Sequence, residues 1–231
     1  VIVLGWLEHL GGSIIEKCGT EPDYNVNLGE QLQQYFESVG AFNIEGNEVT
    51  PNGANLKVDI SAGTIFDNGL GYMQDKKRPN HYVTGAISQV PLKYTYRNSN
   101  GTWKNNLNQV TDIDPNKWDD GSGTLKTVPT GKWTVQRVSY YAPFGYLDVY
   151  YPQKYYNSKD EALQGYLVDQ VASNEYFNYN IDVAIIVIKA NTTNASSITD
   201  CEIRSVFGSD LGSMGIGGGE TNTASNVGTL G

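Results

Sequence analysis

Charge is scarce in this 231-residue chain, and positive charge is scarcer. Charged residues make up 18% of it, with 16 Lys and Arg against 25 Asp and Glu, for a formal net charge of −9. At a pI near 4.7 the chain has no basic footprint for phosphate backbones or anionic headgroups, which argues against nucleic-acid binding and docking on anionic lipid. Cysteine is limited to Cys18 and Cys201. They show no Cys-x-x-Cys spacing and no neighbouring His cluster, so zinc is not expected; two unrelated thiols are favoured over a long-range disulfide. The histidines are His9 and His81, neither in a recognisable motif, and no Gly-x-Ser-x-Gly is present, so the material for catalysis is thin. No apolar run approaches the roughly 20 residues that span a bilayer. The opening VIVLGWLEHLGG is apolar but contains Glu8 and lacks a basic start, so it reads as a segment entered partway and not as a secretory leader.

What the chain has instead is tyrosine, 16 of them, and 26 glycines. Its polar surface is built from Asn, Ser, Thr, Gln and Gly more than from charge, a habit of extracellular and virion proteins. Hydrophobic spacing predicts a helix over NLGEQLQQYFESVG (27–40), with Asn27 as N-cap, Glu30 as its reciprocal partner, and Leu28, Leu32, Tyr35, Phe36 and Val39 on one face. From there the period changes to two. PLKYTYR (91–97) puts Leu92, Tyr94 and Tyr96 on one face. In GKWTVQRVSYY (131–141), Trp133, Val135, Arg137 and Ser139 oppose Thr134, Gln136, Val138 and Tyr140. YLDVYY (146–151) follows the turn APFG. Such β-branched and aromatic runs between Gly, Asn and Pro predict strands. SKDEALQGYLVDQVAS (158–173) predicts a second helix, with a Ser158–Glu161 capping box and a stripe of Ala162, Leu163, Tyr166, Leu167 and Val171. DVAIIVIKA (182–190) is apolar throughout, as a strand covered on both faces would be, with the helix on one side. The expected fold is mainly β (α+β): an antiparallel β domain with two short helices, oligomerising, followed by a Gly/Ser-rich C-terminal linker.

Few residues offer chemistry. MGIGGGE (214–220) lacks the following helix and the distant acid that a dinucleotide loop needs, so it reads as a flexible linker and no cofactor is expected. TDIDPNKWDDGSG (111–123) places Asp112, Asp114 and Asn116 at alternate positions, with Asp119 beyond, like the start of a calcium loop. Lys117 stands where such a loop needs Gly and Gly123 where it needs Glu, so an ordinary hairpin loop is favoured and a weak calcium site is its alternative. In YYAPFGYLDVYYPQKYY (140–156), Tyr140, Tyr141, Phe144, Tyr146, Tyr150 and Tyr151 are candidates for stacking on a glycan or for a subunit interface; packing is the preferred reading. Carboxylate pairs such as Asp119–Asp120 and Asp160–Glu161 are accounted for by a turn and a helix start, and paired acids of a polysaccharide depolymerase remain a rival.

Several segments together resemble a domain of tail-fibre and related structural proteins of tailed bacteriophages. They are VTPNGANLKVDISAGTIFDNGLGYM, PLKYTYRNSNGTW, TDIDPNKWDDGSGTLKTVPTGKWTVQRVSYY, LDVYYPQKYYNSKDEAL and IDVAIIVIKANTTNASSITDCEIRSVFG, with GGGETNTASNVGTLG similar to the linker that introduces a distal segment. The resemblance covers residues 49–231. It implies a virion structural protein, made in the host cytoplasm, acting as a homotrimer with other tail or capsid proteins and presenting a host-binding tip. It brings no catalytic residue. The implied domains are an N-terminal helical attachment segment (1–48), a mainly β fibre domain (49–208) and a flexible linker (209–231). A capsid fibre or decoration protein, or a module that itself binds host glycan, is the alternative.

Overall fold

The computed structural model describes residues 6–8, 17–19, 28–105, 108–169, 172 and 180–206. The chain divides into two compact units, Val1–Val39 and Gly40–Gly231. The expected Asn27 cap, Val171 and the 209–231 linker lie outside the described residues. In the first unit β1 (Trp6–Glu8) pairs antiparallel with β2 (Lys17–Gly19). The helix α1 (Leu28–Val39) follows, and Gly40, at φ 71°, supplies the left-handed stop that the sequence leads one to expect.

The second unit begins earlier than residue 49. Its first strand, β3 (Phe42–Gly46), is already paired into a three-stranded antiparallel sheet with β6 (Gly63–Phe66) and β7 (His81–Thr84). Between them β4 (Val49–Pro51) and β5 (Val58–Ile60) form a hairpin. Next come β8 (Leu92–Arg97), β9 (Trp103–Asn105), the short pair β10 (Lys117–Trp118) and β11 (Lys126–Thr127), then β12 (Trp133–Tyr141), β13 (Tyr146–Tyr150) and β14 (Tyr155–Tyr156). The helix α2 (Lys159–Val168) precedes β15 (Ile181–Lys189) and β16 (Cys201–Ser205). The large sheet runs β16-β15-β12-β13-β8-β9, with β14 also on β12. Every pairing in it is antiparallel except β8 with β13. Among the described residues the fold is thus mainly β with two short helices, as expected, but its large sheet is mixed at one joint.

The period-2 pattern explains the layers. On β12, Val138 and Tyr140 enter the larger core with Leu92, Tyr94, Leu147 and Val149. The opposite face sends Trp133 and Val135 into a second core beneath α2, with Ala162, Leu163 and Tyr166. β15 serves both: Ala184, Ile186 and Ile188 face the larger core, and Ile185 and Val187 face α2. A continuous apolar run is what a strand shared by two cores requires. Between β12 and β13 the turn Ala142–Phe144 ends at Gly145, whose φ of 65° closes it.

Ser158 caps α2 by accepting from the Glu161 amide at 3.1 Å, while the Glu161 carboxylate accepts from the Asn157 amide at 2.9 Å. The reciprocal partner is therefore one residue earlier than in a standard capping box. The helix stops at Val168, short of the expected residue 173. Asp169 is extended, and its carboxylate accepts from Lys154 Nζ and Tyr156 Oη, each at 2.9 Å. Leu167, expected in the buried stripe, is exposed. Among the described residues no helix is long and apolar enough to cross a membrane.

Gly165 lets α2 sit on β14. A Cβ there would lie 2.2 Å from Tyr156 Cε1. Helix propensity alone predicts that Gly165→Ala stabilises by about 1 kcal/mol. The packing predicts the reverse, a loss of about 1–3 kcal/mol from overfilling a tight contact. Urea unfolding of the variant decides the sign.

Candidate functional site

The loop with calcium-like spacing is a clasp. Tyr94 Oη donates to Gln136 Oε1 at 3.0 Å and accepts from the Asp114 amide at 2.8 Å, while Gln136 Nε2 donates to the Asp114 carbonyl at 2.7 Å. Asp114 Oδ2 accepts from Tyr151 Oη at 3.0 Å, and its Oδ1 accepts from the Asn116 amide at 2.9 Å. Asn116 Oδ1 in turn accepts from the Asn191 amide at 2.8 Å. Asp119, fully buried, accepts from both the amide and Nε of Arg97 at 2.9 Å and from the Gly121 amide at 2.8 Å. Asp112 is exposed. The candidate oxygens of Asp114, Asn116 and Asp119 are thus aimed at donors of the protein and do not converge. Among the described residues no group of three or more His, Cys, Asp or Glu is placed to hold a metal ion. Burial drives the Tyr94 phenol well above its ordinary value, the Asp114 amide opposing that shift.

The aromatic stretch divides into packing and surface. Tyr140 and Tyr151 belong to the larger core, and Tyr151 lies 4.5 Å from Tyr94, ring centre to ring centre. Tyr150 is buried and meets Trp103 edge-on at 5.4 Å. The other three form a patch at the β12–β13 turn. Phe144 is 70% exposed and stacks on the half-buried Tyr141 at 5.1 Å with an 11° interplanar angle. Tyr146 is buried 5.3 Å from Tyr141, with Lys93 Nζ 3.7 Å above its ring. Such a cation over a ring is worth about 0.5–2 kcal/mol.

Beside this patch runs a polar row that sequence reasoning missed. Lys93 of β8 pairs in register with Asp148 of β13, Asp148 with Ser139 of β12, and Ser139 with Asp182 of β15. The last pairing depends on a bulge between Val138 and Ser139. The extra residue turns Val183 into the larger core and brings Asp182 to the polar face. Asp182 accepts from Ser139 Oγ and from Arg137 Nη2, both at 2.5 Å. Asp148 accepts from Asn180 Nδ2 at 2.7 Å. Burial pushes the Asp148 carboxyl up to about 6, against the opposing pull of Asn180 and Lys93. Asp148 and Asp182 lie two strands apart, roughly 10 Å at the backbone, but both carboxylates already accept protein donors. Asp160 and Glu161 border a groove of about 540 Å³ between β14 and α2, shared with Tyr155, Gln164 and Val168. Cys201 is a free, buried thiol, raised to about 12 chiefly by burial.

One signal for the row was present: an acid in the middle of YLDVYY is costly unless something pairs with it. The bulge that recruits Asp182 left none.

The fold and site define a class in outline, a mainly β unit whose central sheet carries a helix over one part of a face and a polar row with an aromatic patch over another. No protein-family model, no curated protein and no solved structure matches the chain.

Because its folded-state carboxyl is raised, Asp148 keeps a proton between about 4, the ordinary carboxyl value, and about 6 that the unfolded chain has lost. This site's contribution to stability therefore falls as pH rises through that window. Asp148→Asn retains an oxygen for Asn180 and cannot ionise. Its urea midpoint should drop less between pH 4.5 and pH 7 than that of the unmodified protein; equal drops would refute the assignment.

Proposed function

We propose that the chain is a structural subunit of a tailed-bacteriophage appendage, a tail fibre or a relative of one, which assembles as a homotrimer and carries a distal host-binding element. The observation that carries this reading is the resemblance of the segments between residues 49 and 231. Those segments fall on framework. DPNKWDDGSGT supplies the Asp119 clasp and the turn beyond it, VPTGKWTVQRV enters β12, and YYPQKYYNSKDEAL runs from the end of β13 through β14 into α2. Similarity concentrated on framework residues favours an architectural role over catalysis. Exposed Ile44, Tyr72, Met73 and Val83 add apolar surface of the sort that subunits cover in assemblies. Its partners would be copies of itself, neighbouring virion proteins and, through the distal segment, a host glycan or receptor; its location would be the exterior of the virion.

Light scattering on residues 1–231 tests the assembly. A mass of three times the 25.3 kDa chain supports it, and a single-chain mass overturns it.

A second reading, a glycan contact made by this unit itself, is favoured by Phe144, which is 70% exposed and backed by Tyr141. Flat, supported rings stack on sugar faces. Titration with host-surface polysaccharide should then show binding that Phe144→Ala weakens about tenfold, or about 1.4 kcal/mol. Binding indifferent to that substitution would remove the reading.

A further inference from the structure

We propose that residues 67–80 are a cap on the outer edge of β7, clamped by Gln74, which keeps β7 of a second copy from adding to the three-stranded sheet.

β6 and β7 are antiparallel neighbours in which Phe66 faces His81. Strand ends that close can be joined by a turn of about two residues, and hairpin loops commonly have about two to five. Here residues 67–80 separate them. The base of the loop is already tied, the Asp67 amide donating to the Asn80 carbonyl at 3.0 Å. The remaining length has no part in joining the strands. It folds back over β7.

β7 ends the sheet β3-β6-β7, so among the described residues one side of its backbone has no strand beside it. The loop supplies what a strand would. Gln74 Nε2 donates to the Val83 carbonyl at 2.9 Å, and the Val83 amide donates to Gln74 Oε1 at 2.7 Å. That is the pair of bonds an antiparallel neighbour would exchange with Val83, made here by a side-chain amide. The His81 amide donates to the Arg78 carbonyl at 3.0 Å. Gly71 covers the His81 carbonyl: a Cβ added to Gly71 would lie 1.8 Å from that oxygen, so a larger residue would hold the loop off the strand.

Without its cover this edge would suit strand addition. The segment HYVT carries no formal charge at pH 7, and Val83 is 61% exposed. Unpaired, uncharged, β-prone edges are templates for pairing. The strand to be refused is another β7, because an antiparallel edge is self-complementary about a two-fold axis. Lys76, Lys77 and Arg78, all exposed on the cap, bring further like charges to any such joint.

Two variants of the whole chain test the cap. In one an Asn-Gly turn replaces residues 67–80; in the other Gln74→Ala removes the clamp and keeps the loop. Their masses by light scattering are followed against concentration and compared with the unmodified chain, whatever its own mass, so the result does not depend on the appendage reading. The cap predicts that both variants gain mass as concentration rises, the turn replacement until its mass roughly doubles, as two-fold pairing requires. Adding Val83→Pro to either should abolish the gain, since proline removes the outward amide and leaves the ladder to β6 intact. A folded variant whose mass stays at that of the unmodified chain overturns the cap. So does a gain that Val83→Pro leaves in place. Should the turn replacement fail to fold, Gln74→Ala decides by the same outcomes.

Discussion

The fully buried amide of Gln136 is the constraint on which the second unit turns. A polar side chain in that position costs about 1–3 kcal/mol if left without partners, and its partners come from far away in sequence. Tyr94 arrives on β8 and the Asp114 carbonyl on the loop before β10. Satisfying one amide therefore fixes a strand, a loop and the centre of the sheet together. Tyr151, bonded to Asp114, adds the end of β13 to the same set. A network of this kind is strong only when every member is present, so it specifies one arrangement where a purely apolar core would accept several.

The same demand explains the row on the opposite face. A helix ten residues long covers only part of a sheet this wide. Trp133 and Val135 lie under it, and Arg137, Ser139 and Asp148 continue the same face outside that apolar core. Polar groups there must pair among themselves, and the bulge in β15 completes the pairing by substituting Asp182 for Val183. The row is then the solution to an uncovered sheet face, with the aromatic patch at its border.

Sequence periodicity made the layers legible. Alternation in β12, the unbroken apolar run of β15 and the Ser158 cap each follow from local chemistry that the residues themselves carry. What stayed hidden depends on distant partners. A strand's pattern has no direction, so the parallel joint of β8 and β13 could not be read from PLKYTYR and YLDVYY. At the end of α2 at Val168, Asp169 is extended and bonds back to Lys154 and Tyr156, partners that the apolar stripe does not show. Of the aromatic candidates, the stretch was visible but its division was not, since only tertiary contacts separate the exposed Phe144 from the core residue Tyr140. The acids of residues 112–119 showed turn chemistry in sequence, and their partners Arg97 and Tyr151 show why they sit where they do.

The parallel joint has a kinetic meaning. β12 and β13 are joined by a four-residue turn and can zip together as soon as both exist. β8 cannot reach β13 by any hairpin, because parallel neighbours need a long crossover. Leu92 must find Leu147 across β9, the β10–β11 loop and β12, and the entropy of closing that loop is spent before the pair returns anything. Docking β8 on β13 is therefore a long-range search at the middle of the sheet, as docking β15 on β12 is, and until β8 arrives that edge of β13 is open to a wrong strand.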